Sequence, residues 1–179
     1  MRYIAFLRGI NVGGHQVKMD HLRALFIELG HANVRTYIQT GNVFFEAPEG
    51  DRAALTEAAE THLRAALGYS VPVCLRTVAE VERTLARNPF KGATVTDDMR
   101  LCVVFAAKPV PQTLELPAWS PKRDMEIRAV TEMDAFVIWY LLNGKPPSSS
   151  KFLEQTLGSD VTSRFLHTTA KILEAAQAG

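Results

Sequence analysis

The stretch "VRTYIQTGNVFFE", Val34–Glu46, decides the fold. Two runs of strand-forming residues, VRTYIQ and VFFE, flank a short TGN connection. Gly and Asn tolerate a positive φ, so the connection predicts a β-hairpin. Upstream, Tyr3–Leu7 is a short apolar run of the buried-strand type. Between it and the hairpin, Leu22, Leu25, Phe26 and Leu29 recur at helical spacing, with Asp20 as N-cap and Gly30 just past the end. Downstream, PEGD opens a second helix whose apolar face is Leu55, Ala58, Ala59, Leu63, Ala66 and Leu67, closed by Gly68. The run VPVCL then reads as a strand. The order β-α-β-β-α-β predicts a ferredoxin-like unit over residues 1–76, with strands in the order 4-1-3-2 and both helices on one face.

Residues 77–179 read as a second α+β unit, so the fold class is α+β with two packed ferredoxin-like units. Thr77 and Glu80 have capping-box spacing, Val78, Val81 and Leu85 make a helical face, and Asn88-Pro89 ends it. LCVVFAA is a buried-type strand, and the proline-rich VPQTLELPAWSPKRD reads as irregular. MEIRAV and AFVIWYLL form a hairpin around TEMD, and NGKPPSSS is a loop. KFLEQTLG and FLHTTAKILEAA read as helices, the second with Phe165, Thr169, Ile172, Leu173 and Ala176 on one face. No sequence repeat links the halves.

Composition bounds the function. Of 179 residues, 47% are hydrophobic and 22% charged, enough apolar side chains for a sizeable core. The net charge of +1 argues against a polynucleotide partner, since dedicated nucleic-acid binders are more basic. Cys74 and Cys102 form no C-x-x-C pair, and read as buried thiols of a reducing, cytoplasmic compartment. No apolar run reaches membrane-spanning length and no signal peptide is legible. Neither a cofactor nor an oligomeric state follows from the sequence.

"RGINVGG", Arg8–Gly14, is the richest stretch chemically. Gly9 and Gly14 have the G-x-x-x-x-G spacing of a Walker A loop, but His15 and Gln16 stand where Lys and Ser or Thr are needed. A nucleotide-hydrolysing P-loop is therefore excluded, and there is no G-x-G-x-x-G fingerprint. The predicted topology brings RGINVGG and QTGN to one sheet edge. Arg8, Asn11, Lys18, Gln39, Thr40 and Asn42 can converge there on a small anionic or polar ligand. Gly13 and Gly14 would give room, and the nearby helix N-terminus partial positive charge. The competing reading makes the glycines turn formers, pairs Arg8 with a carboxylate and uses Asn42 as a left-handed turn residue.

Other constellations are weaker. Ser148 and Lys151 have S-x-x-K spacing without the S-D-N and K-T-G companions, so the serines read as helix caps. His15, His21, His31, His62 and His167 contain no H-x-x-x-H pair, which argues against a metal site. Tyr3, Phe44 and Phe45 read as core aromatics, because the RNA-recognition signature is absent, and Trp119, Trp139 and Tyr140 read as core or domain interface.

At LRGINVGG, VKM, LR, VRTYIQTGNVFF and NPF the sequence resembles a widespread, mainly bacterial family filed as domain of unknown function 1697. The resemblance implies two packed ferredoxin-like units and brings no catalytic residue. Its recognisable residues fall on Arg8, Gly9, Asn11, Gly13, Gly14, Lys18, Tyr37, Gln39, Gly41 and Asn42. Near the end the chain departs from the family's T-x-R-N-W-x-T pattern. In TSRFLHT, Arg164 and Thr168 remain while Phe165 and Leu166 replace Asn-Trp. The approach to Lys151, GKPPSSSK, is also altered. Three readings stand: a small-ligand protein with its site at the shared edge, a protein-interaction module without ligand, and an RNA-binding protein, which the charge disfavours.

Overall fold

A computed structural model describes residues 1–179 as a mixed α+β chain with two antiparallel sheets and five helices. The first half runs β1 (Arg2–Leu7), α1 (Met19–Glu28), β2 (Ala32–Thr36), β3 (Asn42–Glu46), α2 (Arg52–Leu67) and β4 (Val73–Thr77). These strands form one sheet in the order β2-β3-β1-β4, every neighbour antiparallel, as the hairpin reading requires. Alternation along β1 sends Tyr3, Ala5 and Leu7 to one face. There they join Leu22, Leu25 and Phe26 of α1 and Ala59 and Leu63 of α2 in one core cluster. Both helices thus cover the same face. Asp51 caps α2 by accepting from Ala53 N–H at 2.9 Å, and Gly68 ends it at φ 82°.

The second half runs α3 (Val78–Arg87), β5 (Met99–Ala106), β6 (Ala118–Trp119), β7 (Met125–Val130), β8 (Asp134–Tyr140), α4 (Lys151–Leu157), β9 (Val161–Phe165) and α5 (Leu166–Gln177). Its sheet has the order β6-β7-β8-β5-β9, again antiparallel throughout. Leaving out the two-residue edge strand β6, the order β7-β8-β5-β9 repeats that of the first sheet, with an irregular segment where the first helix would stand. The capping box of α3 forms as expected. Thr77 N–H donates to Glu80 Oε2 at 2.8 Å, and Glu80 N–H to Thr77 Oγ1 at 3.2 Å.

Four expectations need correction. VRTYIQ is extended only to Thr36, and the hairpin connection is the five residues Tyr37–Gly41. Its left-handed residues are Ile38 (φ 50°) and Gly41 (φ 88°), not Asn42, which begins β3. Lys18, not Asp20, is the N-cap of α1, because Asp20 sits in the first turn and pairs with Arg23. Val161–Phe165, which has no apolar alternation, is a strand paired with β5, so the last helix begins at Leu166. The chain also divides differently from 1–76 and 77–179: one compact unit is Met1–Val81 with Ile172–Gly179, the other Glu82–Lys171. In the first unit, Arg2 and Arg35 tie down the returning terminus. Arg2 donates to Ala176 O at 3.1 Å, and Arg35 to Ala175 O at 2.9 Å and Ala176 O at 3.2 Å. These are cations on the carbonyls of a helix C-terminus, where the helix dipole favours them.

Candidate functional site

The Arg8–Lys18 loop leaves β1 and meets the Tyr37–Gly41 turn at the same sheet edge. Hydrogen bonds join the end of β1 and the loop to this turn. Leu7 N–H donates to Gly41 O at 2.8 Å, and the Asn11 side-chain amide donates to Gln39 O at 2.8 Å. Asn11 Oδ1 also accepts from Val17 N–H at 2.7 Å, so one carboxamide closes its own loop and staples it to the turn. Asn11 holds φ 58°, a left-handed value that asparagine adopts more readily than most residues. A third contact, Arg8 N–H to Pro72 O at 3.1 Å, adds the segment before β4.

The motif residues divide by task. Asn42 is fully buried, and its amide donates to Tyr37 O and Thr40 Oγ1, both at 3.0 Å. It braces the turn from inside instead of facing a ligand. Gly41 is there for packing as well as conformation: a Cβ would lie 3.0 Å from Leu7 Cβ and 3.1 Å from Ile10 Cβ. Gly13 and Gly14, at φ 60° and 87°, have open space around them. They are exposed, and their N–H groups find no acceptor within the chain. Lys18 and Gln39 are exposed, Arg8 half-buried. The Lys18 ammonium has no hydrogen-bond or ion-pair partner, and no side chain caps the first turn of α1. At the end of the loop His15 stacks on Tyr69, with centroids 3.8 Å apart and planes 22° off parallel. No pattern in the sequence announces this stack, because Tyr69 follows the glycine that ends a different helix.

A second polar cluster lies on the other sheet. Glu126 is 4% exposed and accepts from Arg128 Nε at 2.9 Å and Nη2 at 3.2 Å, and from the Tyr140 hydroxyl at 2.8 Å. Burial works against its charge, but the Arg128 and Tyr140 hydrogen bonds prevail and hold the carboxyl below its ordinary value. Burial and the bond to Glu126 together push the Tyr140 phenol up. The i, i+2 spacing of Glu126 and Arg128 puts both on one face of a strand, a signal the sequence did carry. No group of three or more His, Cys, Asp or Glu is arranged to hold a metal. Cys74 and Cys102 are buried and unbridged, and burial pushes the Cys102 thiol far up.

Residues 1–136 match the family described as protein of unknown function (DUF1697). The chain belongs to this family. The two loops just described lie within the residues matched to DUF1697. A solved structure, that of the conserved bacterial protein SP0830 from Streptococcus pneumoniae, is similar over 98% of each chain, with a TM-score of 0.66 and 22% identity. At that identity the likeness concerns the fold alone. No curated protein matches the DUF1697 chain.

Proposed function

We propose that the edge built by RGINVGG and QTGN binds a small anionic or polar ligand. The observation that carries this reading is the division of labour among the motif residues. Asn11, Gly41 and Asn42 use their chemistry to join two loops, which leaves Lys18 unpaired beside an uncapped helix start and two glycine N–H groups without acceptors. A turn needed only to reverse the chain has no use for that arrangement. Backbone donors, a helix N-terminus and a lysine together favour a phosphate or carboxylate. In this reading Lys18 and Arg8 supply charge, Gln39 and the Gly13 and Gly14 amides supply hydrogen bonds, and Asn11 and Asn42 hold the frame.

Thermal unfolding with inorganic phosphate, citrate and nucleoside monophosphates tests it. A site-specific anion at about 100 times its dissociation constant adds roughly 2.7 kcal/mol of stability. Lys18→Met should abolish that gain without lowering the melting temperature of the free protein. An equal gain in the variant would sink the proposal. A protein-interaction role is the second reading, because Val12 and Ile38 are 58% and 41% exposed on these same loops. Self-association or partner binding lost on Val12→Ser, with no anion effect, would favour it.

We read each unit as ferredoxin-like, the second having an irregular segment in place of its first helix. The shared strand order supports this. A cytoplasmic location is part of the same reading, supported by two buried thiols that are not bridged. No helix is long and apolar enough to cross a membrane.

A further inference from the structure

The open edge of the second sheet carries an aromatic surface that the proposed anion site does not use. Trp119 lies on β6, the edge strand, in register with Glu126 of β7. Its ring stacks on Tyr140 of β8, centroids 5.4 Å apart and planes 24° from parallel. Both rings are half-exposed. The Arg123 guanidinium sits 4.1 Å from the Trp119 centroid. Arg123 is exposed, at φ 56°, in the turn that joins β6 to β7, directly after the exposed Lys122. Beneath the rings, Glu126 is neutralised by the forked Arg128 pair and the Tyr140 hydroxyl. That network orients the Tyr140 ring and pairs the Glu126 carboxylate, which would otherwise repel an anion.

We propose that this surface is a stacking platform for a nucleobase whose phosphate meets Arg123 and Lys122: a mononucleotide site in the second unit. A guanidinium over an indole occupies the position a planar base takes, since both are held by the electron-rich ring face. Arg123 hangs from an exposed turn and makes no ion pair, so it can leave the ring for a phosphate. With Arg128 taken up by Glu126, the exposed Lys122 and Arg123 are the cations that match an anionic ligand. The near-neutral chain favours a free nucleotide over a polynucleotide, which would need more phosphate contacts.

Intrinsic fluorescence reports on Trp119, the other tryptophan being Trp139 on the opposite face of the neighbouring strands. AMP, adenosine, ribose 5-phosphate and a six-residue oligoadenylate are titrated into the full chain. Quenching saturable by AMP, weaker for adenosine and absent for ribose 5-phosphate, is the expected result. Trp119→Ala should weaken AMP binding tenfold or more, measured by calorimetry because the reporter is gone. Arg123→Ala, an exposed change that leaves the fold intact, should make AMP and adenosine bind alike. Tyr140→Phe keeps the ring and should keep the binding within about twofold. Oligoadenylate binding more than tenfold tighter than AMP, with steep salt dependence, would assign the same base-and-phosphate chemistry to single-stranded nucleic acid. No quenching by millimolar AMP, or equal binding by ribose 5-phosphate, would overturn the platform.

Discussion

At the scale of single residues, the glycine loop is held by chemistry that substitutions can dissect. Asn11→Ala removes two hydrogen bonds and places alanine at φ 58°. A cost of about 1–3 kcal/mol is expected, read by chemical denaturation. Asn11→Gly relieves the backbone but not the lost bonds, so it should recover only part of that cost. Gly41→Ala meets both the crowded Leu7 and Ile10 side chains and a φ of 88°, and should cost about 1–3 kcal/mol. A loss below about 0.5 kcal/mol in either alanine variant would mean that the loops are not tied as described. Glu126 makes stability depend on pH. Its carboxyl titrates below the ordinary 4.5 in the folded chain, because the Arg128 and Tyr140 bonds outweigh burial. The contribution is therefore complete above about pH 4.5 and disappears as pH falls through the lower folded value. Urea midpoints taken from pH 6 to pH 3 should fall less steeply in Glu126→Gln than in the parent chain. Parallel curves would contradict the sign of the shift.

At the scale of elements, legibility followed hydrophobic pattern. Strands such as Tyr3–Leu7 and helices with clear i, i+4 faces were readable because burial demands those residues. The α3 capping box was readable because Thr77 and Glu80 satisfy each other's N–H groups. Thr77→Ala should accordingly cost about 1 kcal/mol, measured by thermal unfolding. An unchanged stability would show that the Arg52 contact to Glu80, 2.5 Å, holds the helix start without the threonine. Strand β9 was not readable. VTSRF carries polar Thr162 and Arg164 that are both buried, and buried polar residues break the alternation that announces a strand. The candidate site was half readable. The sequence named the two loops that meet, but could not separate the residues left without partners from the braces. That division depends on where each side-chain amide finds its partner, and Asn11 and Asn42 find theirs in the turn.

At the scale of the molecule, the chain's two compact units differ in continuity. The first is completed by Ile172–Gly179, which returns from the far end of the sequence. Ile172 and Ala176 are fully buried, and the Arg2 and Arg35 side chains hold the last carbonyls of α5. Deleting residues 172–179 should therefore speed amide exchange across residues 1–81. Unaltered exchange in that region would mean that the terminal turns add nothing to the first unit. The central claim is that the edge of RGINVGG and QTGN is an anion site, and amide mapping over the whole chain tests it most directly. Inorganic phosphate is titrated into uniformly 15N-labelled protein while backbone amide shifts are followed. The account predicts saturable shifts concentrated at Gly13, Gly14 and the first turn of α1, absent in Lys18→Met. Shifts that are unsaturable, or that leave those amides unmoved, would contradict it.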